Sequence, residues 1–364
     1  MKHDKGMRSL ISFLFPAQVL AKFRKFERMA RKALNQLLSP VARVICKKLV
    51  ITYDSDLKND GTGAQLQRQF AVFVLARVLG CSYQFSPIKS VAVHALDPFQ
   101  TETAYLNFLE KLNYDFELLS TLDLPKEIPR VIRLASPSIL ELLGVGLISN
   151  FFKGLTLAKV GEPYLVTENF QDTYLEVRSN LLNWSSPEGA VKVKTVAIHF
   201  RQGVGGKAIY PGQKIPRELD LEYFIEVIQC IARDNPKTEF KLVVLTDAPS
   251  IATTYIPPAN QQILWEGTPG FRNGEMLITP FDFSPLKILQ LDFEIVSGGD
   301  PVDAIRIMST ADFLLMGRSS LSFVAGVLNQ KGVVFTAPDF WHNPLSRWTS
   351  YADSVLKSQQ NSSK

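Results

Sequence analysis

The sequence is poor in cysteine and histidine, with three Cys and four His among 364 residues. The cysteines are far apart and lack the paired spacing of a zinc site or a redox motif: Cys46, Cys81 and Cys230. Three of the histidines show no metal-ligand spacing either: His3, His94 and His342. These residues predict free thiols in a reducing compartment and no metal site built on Cys or His.

Long apolar runs are also missing. The best stretch, Leu10 to Ala21, falls short of the roughly 20 residues that span a bilayer and is broken by Ser12, Pro16 and Gln18. The sequence therefore does not predict an integral membrane protein. With 46% apolar and 21% charged residues, the chain is globular rather than disordered. At about 100 to 200 residues per domain, its length predicts about two domains.

Acidic residues are scarce only at the start of the chain. Residues 1–50 carry twelve Lys or Arg and two acids, whereas the rest of the chain carries 28 basic and 33 acidic residues. Because the basicity is confined to one terminal segment, we expect no nucleic-acid partner, despite a pI near 8.9.

The basic leader, residues 1–48, contains an amphipathic segment at 17–38 with apolar side chains at helical spacing. Its other face is basic: Lys22, Arg24, Lys25, Arg28, Arg31 and Lys32. Such a helix either lies in the headgroup layer of an anionic membrane or packs its apolar face on the main domain. A cleaved signal peptide fits poorly, because no small-residue cleavage pattern follows. We expect a cytoplasmic protein, peripheral on the inner membrane face under the first interpretation.

From Leu49 onward, short apolar runs alternate with helical stretches, which predicts an α/β protein with largely parallel sheets. We divide the body at a Pro-, Glu-, Gly- and Ser-rich stretch into domains 49–188 and 189–356, followed by a disordered polar tail, 357–364.

The first domain opens with a predicted strand at 49–53, a tight loop at 60–63 and a helix at 65–79 that ends at Gly80. Residues 95–185 are mostly helical by pattern, with a strand at 130–134. The pattern of the second domain predicts a doubly wound parallel sheet. Its predicted strands are 191–199, 240–245, 293–296, 312–316 and 332–335, and its predicted helices are 219–233, 301–309 and 321–328.

Polar residues follow the strands of the second domain, where ligands of open parallel sheets bind. The first strand runs into His199, Arg201 and a glycine-rich loop that starts at Gly203. His199 and Arg201 are two residues apart and so share a face. Arginine beside such a loop can bind a phosphate with two hydrogen bonds while backbone amides approach closely. The alternative is an arginine paired with a carboxylate.

Two further strand ends and one helix carry candidate residues. Ser319 and Ser320 precede a helix, where hydroxyls and free amides form an anion site or an ordinary N-cap. Asp247 follows another strand. Asp303 lies one turn into a helix, where it could accept hydrogen bonds from a guanine edge, act as a general base, or only stabilise the helix dipole.

Two glycine and aspartate motifs are weaker. Asp54-Ser-Asp56 matches an Asp-x-Asp metal motif of nucleotide-sugar enzymes, but so short a pattern recurs by chance, and we expect no metal. Gly61-Thr-Gly63 lacks both a third glycine at Rossmann spacing and a Walker lysine, so neither NAD nor ATP chemistry is predicted.

Together these segments resemble the superfamily of α1,6-, α1,2- and protein O-fucosyltransferases. The strongest part is the run from Asp303 through Ala311-Asp312-Phe-Leu to the paired serines, which is similar to the α1,6 branch. Ile198–Arg201 resembles the superfamily's His-x-Arg motif, Leu245–Ser250 its Thr-Asp-x-Pro-Ser segment, and Gly61–Leu66 its N-terminal glycine loop. The four segments occur in the family's order.

The resemblance implies a glycosyltransferase B fold with two Rossmann-like domains, which transfers fucose from GDP-fucose to a glycan acceptor with inversion and without metal. It implies that Arg201 binds the β-phosphate, that Ser319 or Ser320 binds the phosphates, and that Asp303 binds guanine. His199 and Gly203 would help to hold the nucleotide. The N-terminal glycine loop comprises Asp60, Gly61, Gly63 and Gln65.

Two departures from the family pattern concern the acceptor-activating base. Gly203 is followed by Val204, where the family often has an acid, and Ala64 replaces an asparagine of some branches. Asp247 and Asp60 are the remaining candidates for the base. Two other functions stay open: a related transferase with another nucleotide sugar, and a non-catalytic nucleotide- or glycan-binding protein.

Overall fold

The computed structural model describes residues 40–56, 61–91, 102–117, 120, 130–163, 171–174, 176–177, 193–202, 218–256, 271–340 and 344–350. The leader segment 17–38, Asp60, Gly203, the predicted domain boundary and the polar tail lie outside these residues.

The first sheet is parallel throughout its described pairings, in the order β2-β1-β4-β3. Its strands are β1 (Leu49–Tyr53), β2 (Ser82–Gln84), β3 (Arg130–Leu134) and β4 (Thr156–Val160). The helices around it are α1 (Thr62–Leu79), α2 (Glu102–Glu117) and α3 (Ile139–Asn150). Strand β1 is buried along its whole length, as expected for a central strand with helices on both faces. Helix α1 ends where predicted, because Gly80 adopts the left-handed conformation (φ 64°) that closes a helix.

The second sheet has the order β10-β6-β5-β11-β12-β13, again with parallel pairings. Its strands are β5 (Val193–Phe200), β6 (Glu239–Thr246), β10 (Asp292–Ser297), β11 (Phe313–Leu315), β12 (Val333–Thr336) and β13 (Thr349–Ser350). Its helices are α4 (Leu221–Asp234), α5 (Pro301–Thr310) and α6 (Ser320–Leu328). The chain builds outward from β5 to β10, then returns to β11 beside β5. The strand order therefore reverses between the neighbouring strands β5 and β11, and their carboxyl ends form the switch point of a doubly wound sheet.

The predicted α/β class, with two Rossmann-like parallel sheets, is confirmed, and the predicted strands and helices of the second domain are present within a few residues. The prediction was wrong for part of 95–185, because β4 lies within this mostly helical pattern. A five-residue run such as β4 cannot be separated from a helical segment by periodicity alone. A small antiparallel sheet was also missed: β7 (Thr253–Tyr255), β8 (Phe271–Arg272) and β9 (Glu275–Ile278).

The two sheets share one buried core. This cluster extends from Leu66 and Phe70 of α1 to Val302 of α5, Val324 of α6 and Ala197 of β5. A second cluster covers the opposite face of the second sheet and contains the apolar face of α4. Helices α1, α5 and α6 therefore fill the space between the two sheets.

Helices α1 and α6 approach each other closely at Gly63, in the first turn of α1. A Cβ atom at this position would lie 2.4 Å from the backbone nitrogen of Leu321 and 2.8 Å from the carbonyl carbon of Ser320. Because α1 follows the carboxyl end of β1 and α6 follows that of β11, the carboxyl edges of both sheets meet at this contact. Only glycine allows the two helix N-termini to approach this closely.

We expect Gly63→Ala to destabilise the protein by about 1–3 kcal/mol, because the added methyl group must push the α6 backbone away. Gly144→Ala is the matched control, since a Cβ at Gly144 meets nothing within 4 Å. Alanine there should raise stability by up to about 1 kcal/mol through helix propensity. Urea unfolding of the two variants measures both effects, and equal stability changes would contradict a steric role for Gly63.

Candidate functional site

The candidate site begins at the carboxyl end of β5. Residues Val196, Ile198 and Phe200 face the α4 cluster, whereas Ala197 faces the shared core. By the same alternation His199 lies on the shared-core side, where its side chain is buried with 7% of its surface exposed. Arg201 directly follows the strand.

Arg201 links the ends of three neighbouring strands. Its Nη1 donates to Oγ of Ser319 at 3.1 Å, and its Nε lies 3.8 Å from Oδ2 of Asp247. The backbone N–H of Gln202 donates to the other oxygen of Asp247 at 2.8 Å. Only 12% of the Arg201 side chain is exposed, and its Nε is buried without a hydrogen-bond partner. The guanidinium is thus fixed at the switch point with hydrogen-bonding capacity left for a ligand.

Ser319 is the N-cap of α6, since its Oγ accepts from the N–H of Leu321 at 3.2 Å. The preceding Gly317 lets this loop pass against β5, because a Cβ there would lie 2.4 Å from the carbonyl oxygen of His199. Ser322 strengthens the turn by donating to the carbonyl of Gly317 at 2.9 Å. The N-cap interpretation of Ser319 is therefore confirmed, and its hydroxyl also accepts from Arg201, while anion binding stays a prediction.

His199 is neutral at physiological pH. Burial, and to a smaller extent the positive charge of Arg201, lower its pKa to about 4, although Asp247 acts in the opposite direction. Its Nδ1 is buried without a hydrogen-bond partner. A neutral imidazole beside a fixed arginine can form a hydrogen bond with a ligand without adding charge to the site.

The N-terminus of α1 lies against the N-terminus of α6, next to Ser319. Its N-cap is Gly61, which has no side chain to cap the first N–H groups. Thr62 and Gly63 are buried, and Gly63 lies against the first turn of α6. Each helix N-terminus carries about half a positive charge, so two of them and Arg201 together favour an anion.

Gln65 differs from the expectation of a role in the glycine loop. Its buried side chain donates to the carbonyl oxygen of Ser90, and Gln69 on the next turn donates to that of Ser86. These bonds hold the segment after β2 against α1. The helix itself begins at Thr62, three residues earlier than predicted, so the predicted loop is an N-cap and a first turn.

Asp303 lies in an ion cluster between the two domains. Nζ of Lys111, on α2, is 2.8 Å from Asp303 and 2.9 Å from Asp300. Arg306 is 3.6 Å from Asp303 and 2.7 Å from Asp115, a buried carboxylate whose pKa is raised by burial and partly lowered again by Arg306. Sequence reasoning missed Lys111, because a single lysine in a helical pattern carries no signal of its partners.

Both aspartates of the Asp-x-Asp motif form ion pairs with basic side chains. Asp54 is fully buried, 3.5 Å from Nε of Arg133. Asp56 pairs with Lys89 at 2.7 Å, Arg133 at 2.9 Å and Lys159 at 3.4 Å, and hydrogen bonds from the two lysines lower its pKa. Among the residues described here, no group of three His, Cys, Asp or Glu side chains could hold a metal ion. Nor does any described helix have the length and apolarity to cross a membrane.

No protein-family model matches this chain, and no curated protein matches it. Its solved structural neighbours include POFUT1 in complex with GDP (TM-score 0.35, 10% identity, 79% of this chain and 96% of that chain). E. coli heptosyltransferase WaaC with ADP-2-deoxy-2-fluoro heptose has a TM-score of 0.32 at 11% identity, covering 86% of this chain and 99% of that chain. A glycosyl transferase family 9 protein from Veillonella parvula has the same TM-score and identity, covering 86% and 91%. At this distance the neighbours assign no activity, donor or acceptor to this chain.

The lowered pKa of His199 predicts a pH-dependent stability. Between about pH 6.5 and 4 the unfolded chain binds a proton at this residue and the folded chain does not, so stability falls as the pH falls. The loss amounts to at most about 3 kcal/mol. His199→Asn should remove this part of the pH dependence. The measurement is the free energy of unfolding in urea at pH 7 and at pH 4.5, and the decrease between the two should be smaller in the variant than in the unmodified protein. Parallel pH profiles would contradict a buried neutral histidine.

Proposed function

We propose that this protein is a glycosyltransferase that binds the diphosphate of a nucleotide sugar at the switch point of the second sheet. The observation that carries the proposal is the buried guanidinium of Arg201, fixed by Ser319 beside the N-terminus of α6. A fixed arginine and a helix N-terminus are the groups that recognise phosphate oxygens with charge-assisted hydrogen bonds.

The same groups suit the chemistry of glycosyl transfer. When the sugar leaves, negative charge grows on the departing diphosphate, and donors that are already in position stabilise it at little cost of reorganisation. Arg201 and the first turn of α6 would supply this stabilisation, with a hydrogen bond from neutral His199. The reaction would then need no metal, in agreement with the cation-paired state of Asp54 and Asp56.

We infer that the donor is GDP-fucose and that the sugar passes with inversion to a glycan acceptor. This finer assignment is supported by the resemblance of the four sequence segments to fucosyltransferases. Asp303 is the candidate guanine reader, because a carboxylate can accept two N–H bonds from the guanine edge. Asp247 is the candidate base within the described residues, held by the Gln202 amide near Arg201.

A second candidate function is favoured by the ion pair between Lys111 and Asp303. Because the lysine already occupies this carboxylate, a guanine base would have to share or displace it. A donor with another base would leave the pair intact. The second candidate is therefore a transferase that uses a different nucleoside diphosphate sugar.

Calorimetric titration without added metal tests the diphosphate site. We expect micromolar binding of GDP and a loss of at least about 30-fold in Arg201→Gln, since a charge-assisted hydrogen bond contributes about 2 kcal/mol. Arg318→Gln is the matched control. That arginine is equally buried, at 12% exposure, but binds the carbonyls of Pro338 and Glu218. Unchanged GDP affinity in a folded Arg201→Gln protein would refute the assignment.

A second titration tests which residue binds the nucleobase of the donor. If Asp303 binds guanine, Asp303→Asn should weaken GDP about tenfold, and Lys111→Met should strengthen it, because the competing cation is gone. Affinity for inorganic pyrophosphate should not change in either variant. Preference of the unmodified protein for UDP, ADP or CMP would favour the second candidate function. Slow hydrolysis of the preferred nucleotide sugar then separates an enzyme from a binding protein.

A further inference from the structure

Helix α3 is apolar almost all around. Its sequence, ILELLGVGLISN, contains one charged residue, Glu141, and that residue serves the helix end. The Glu141 carboxylate accepts from the N–H of Ser138 at 2.6 Å, while its own N–H donates to Ser138 Oγ at 3.2 Å. A helix of this composition is normally buried on all sides or in contact with lipid.

Only one side of α3 is covered by the protein. Leu142, Gly146 and Ser149 are buried, and Gly146 packs so closely that a Cβ there would lie 2.6 Å from Sγ of Cys46. The opposite side forms an exposed stripe at helical spacing: Leu140, Leu147, Ile148 and Phe151. Phe151 is 79% exposed and Leu140 73%, values that are high for large apolar side chains.

A second short helical segment, 40–45, adjoins the stripe and adds Val41 and Val44, exposed by 53% and 63%. Asn150 Nδ2 donates to the carbonyl of Ile45 at 2.8 Å. Lys48 Nζ donates to that of Phe152 at 3.0 Å. We call the exposed apolar side chains the apolar patch: Val41, Val44, Leu140, Leu147, Ile148, Phe151 and Phe152.

The border of the apolar patch is basic. Residues 40–48 and 149–153 contain no acid, and their charged residues are Arg43, Lys47, Lys48 and Lys153. Arg130 adds a cation above the ring of Phe152, 3.4 Å from its centroid. Protein interfaces are depleted in lysine, whereas surfaces that bind anionic lipid combine apolar side chains with lysine and arginine.

Most of the patch lies away from the candidate site. Phe151 and Phe152 follow the end of α3, and the 40–45 segment precedes β1, so both lie at the amino edge of the first sheet. Leu140, in the first turn of α3, follows the carboxyl end of β3. The candidate site lies at the carboxyl edges of β5, β6 and β11.

We propose that the apolar patch and its basic border dock this protein on an anionic phospholipid membrane. The aromatic and aliphatic side chains enter the boundary between headgroups and acyl chains, and the basic residues attract the anionic headgroups. The charge of the border favours an anionic surface over the chain's own segment 17–38, which carries six basic residues and one acidic residue. That segment precedes residue 40 closely in the sequence, so its basic residues would add to the same attraction. This inference is independent of the proposed transferase function.

The test is sedimentation of the full chain with vesicles of phosphatidylcholine, with and without 30% phosphatidylserine. We expect Ile148→Ser/Phe151→Ser to weaken binding to the anionic vesicles at least tenfold. The matched control is Ile251→Ser/Ile288→Ser, which removes two equally exposed isoleucines (72% and 67%) from the second domain and should leave binding unchanged. Lys47→Gln/Lys153→Gln should reduce both the affinity and its salt dependence.

Three outcomes would overturn the proposal. The first is no vesicle binding by the unmodified chain. The second is equal vesicle binding by the Ile148/Phe151 variant, which would assign membrane contact to residues 17–38 alone. The third is a lower melting temperature or a changed oligomeric state in that variant without a change in vesicle binding, which would show that protein covers the patch. Circular dichroism and urea unfolding of each variant verify that the fold is intact.

Discussion

The contact between the first turns of α1 and α6 is the constraint on which the rest of this structure depends. Gly63 lies against the backbone of Ser320 and Leu321, and this approach brings together the carboxyl edges of two separate parallel sheets. The helices behind the contact supply one continuous core, so its geometry is fixed by packing over their whole length. A side chain at position 63 would separate the edges and disperse the residues that they carry.

The electrostatic character of the candidate site follows from this arrangement. Two helix N-termini point into it, and Arg201 adds a full positive charge that Asp247 and Ser319 hold in place. His199 contributes a polar atom without charge, because burial and the neighbouring arginine lower its pKa. Under the proposed function, these groups would bind the diphosphate of the donor and stabilise the negative charge that grows on it as it departs.

The ion cluster around Asp303 is a second contact between the two domains, in addition to the one between α1 and α6. Lys111 reaches from α2 to two carboxylates of α5, and Arg306 reaches back to Asp115. The buried Asp115 makes the cluster sensitive to the loss of a partner, because an unpaired carboxylate is costly away from water. If Asp303 reads a nucleobase, the cluster connects base recognition to the relative position of the domains.

Part of the sequence motif that carries the resemblance has a structural role. Asp312 lies just before β11, where its carboxylate accepts from the N–H of Thr195 at 2.9 Å and ties β11 to β5. Asn329 similarly donates to the carbonyls of Met308 and Ala311. Residues of such a motif can stabilise the Rossmann-like domain as well as bind its ligand. A match to the motif therefore does not by itself identify the donor.

The sequence by itself determined the α/β class, the helix that ends at Gly80 and the main strands and helices of the second domain. It also named His199, Arg201, Asp247 and Ser319, which the structure places near one another. Hydrophobic periodicity, caps and strand ends are local properties, and the carboxyl ends of neighbouring parallel strands lie at one edge of a sheet. Tertiary structure alone decided that Gly63 serves packing, that Gln65 holds a loop, that Lys111 occupies Asp303, and that one side of α3 is left exposed. Each of these depends on which distant segment lies opposite, and sequence spacing contains no information about that.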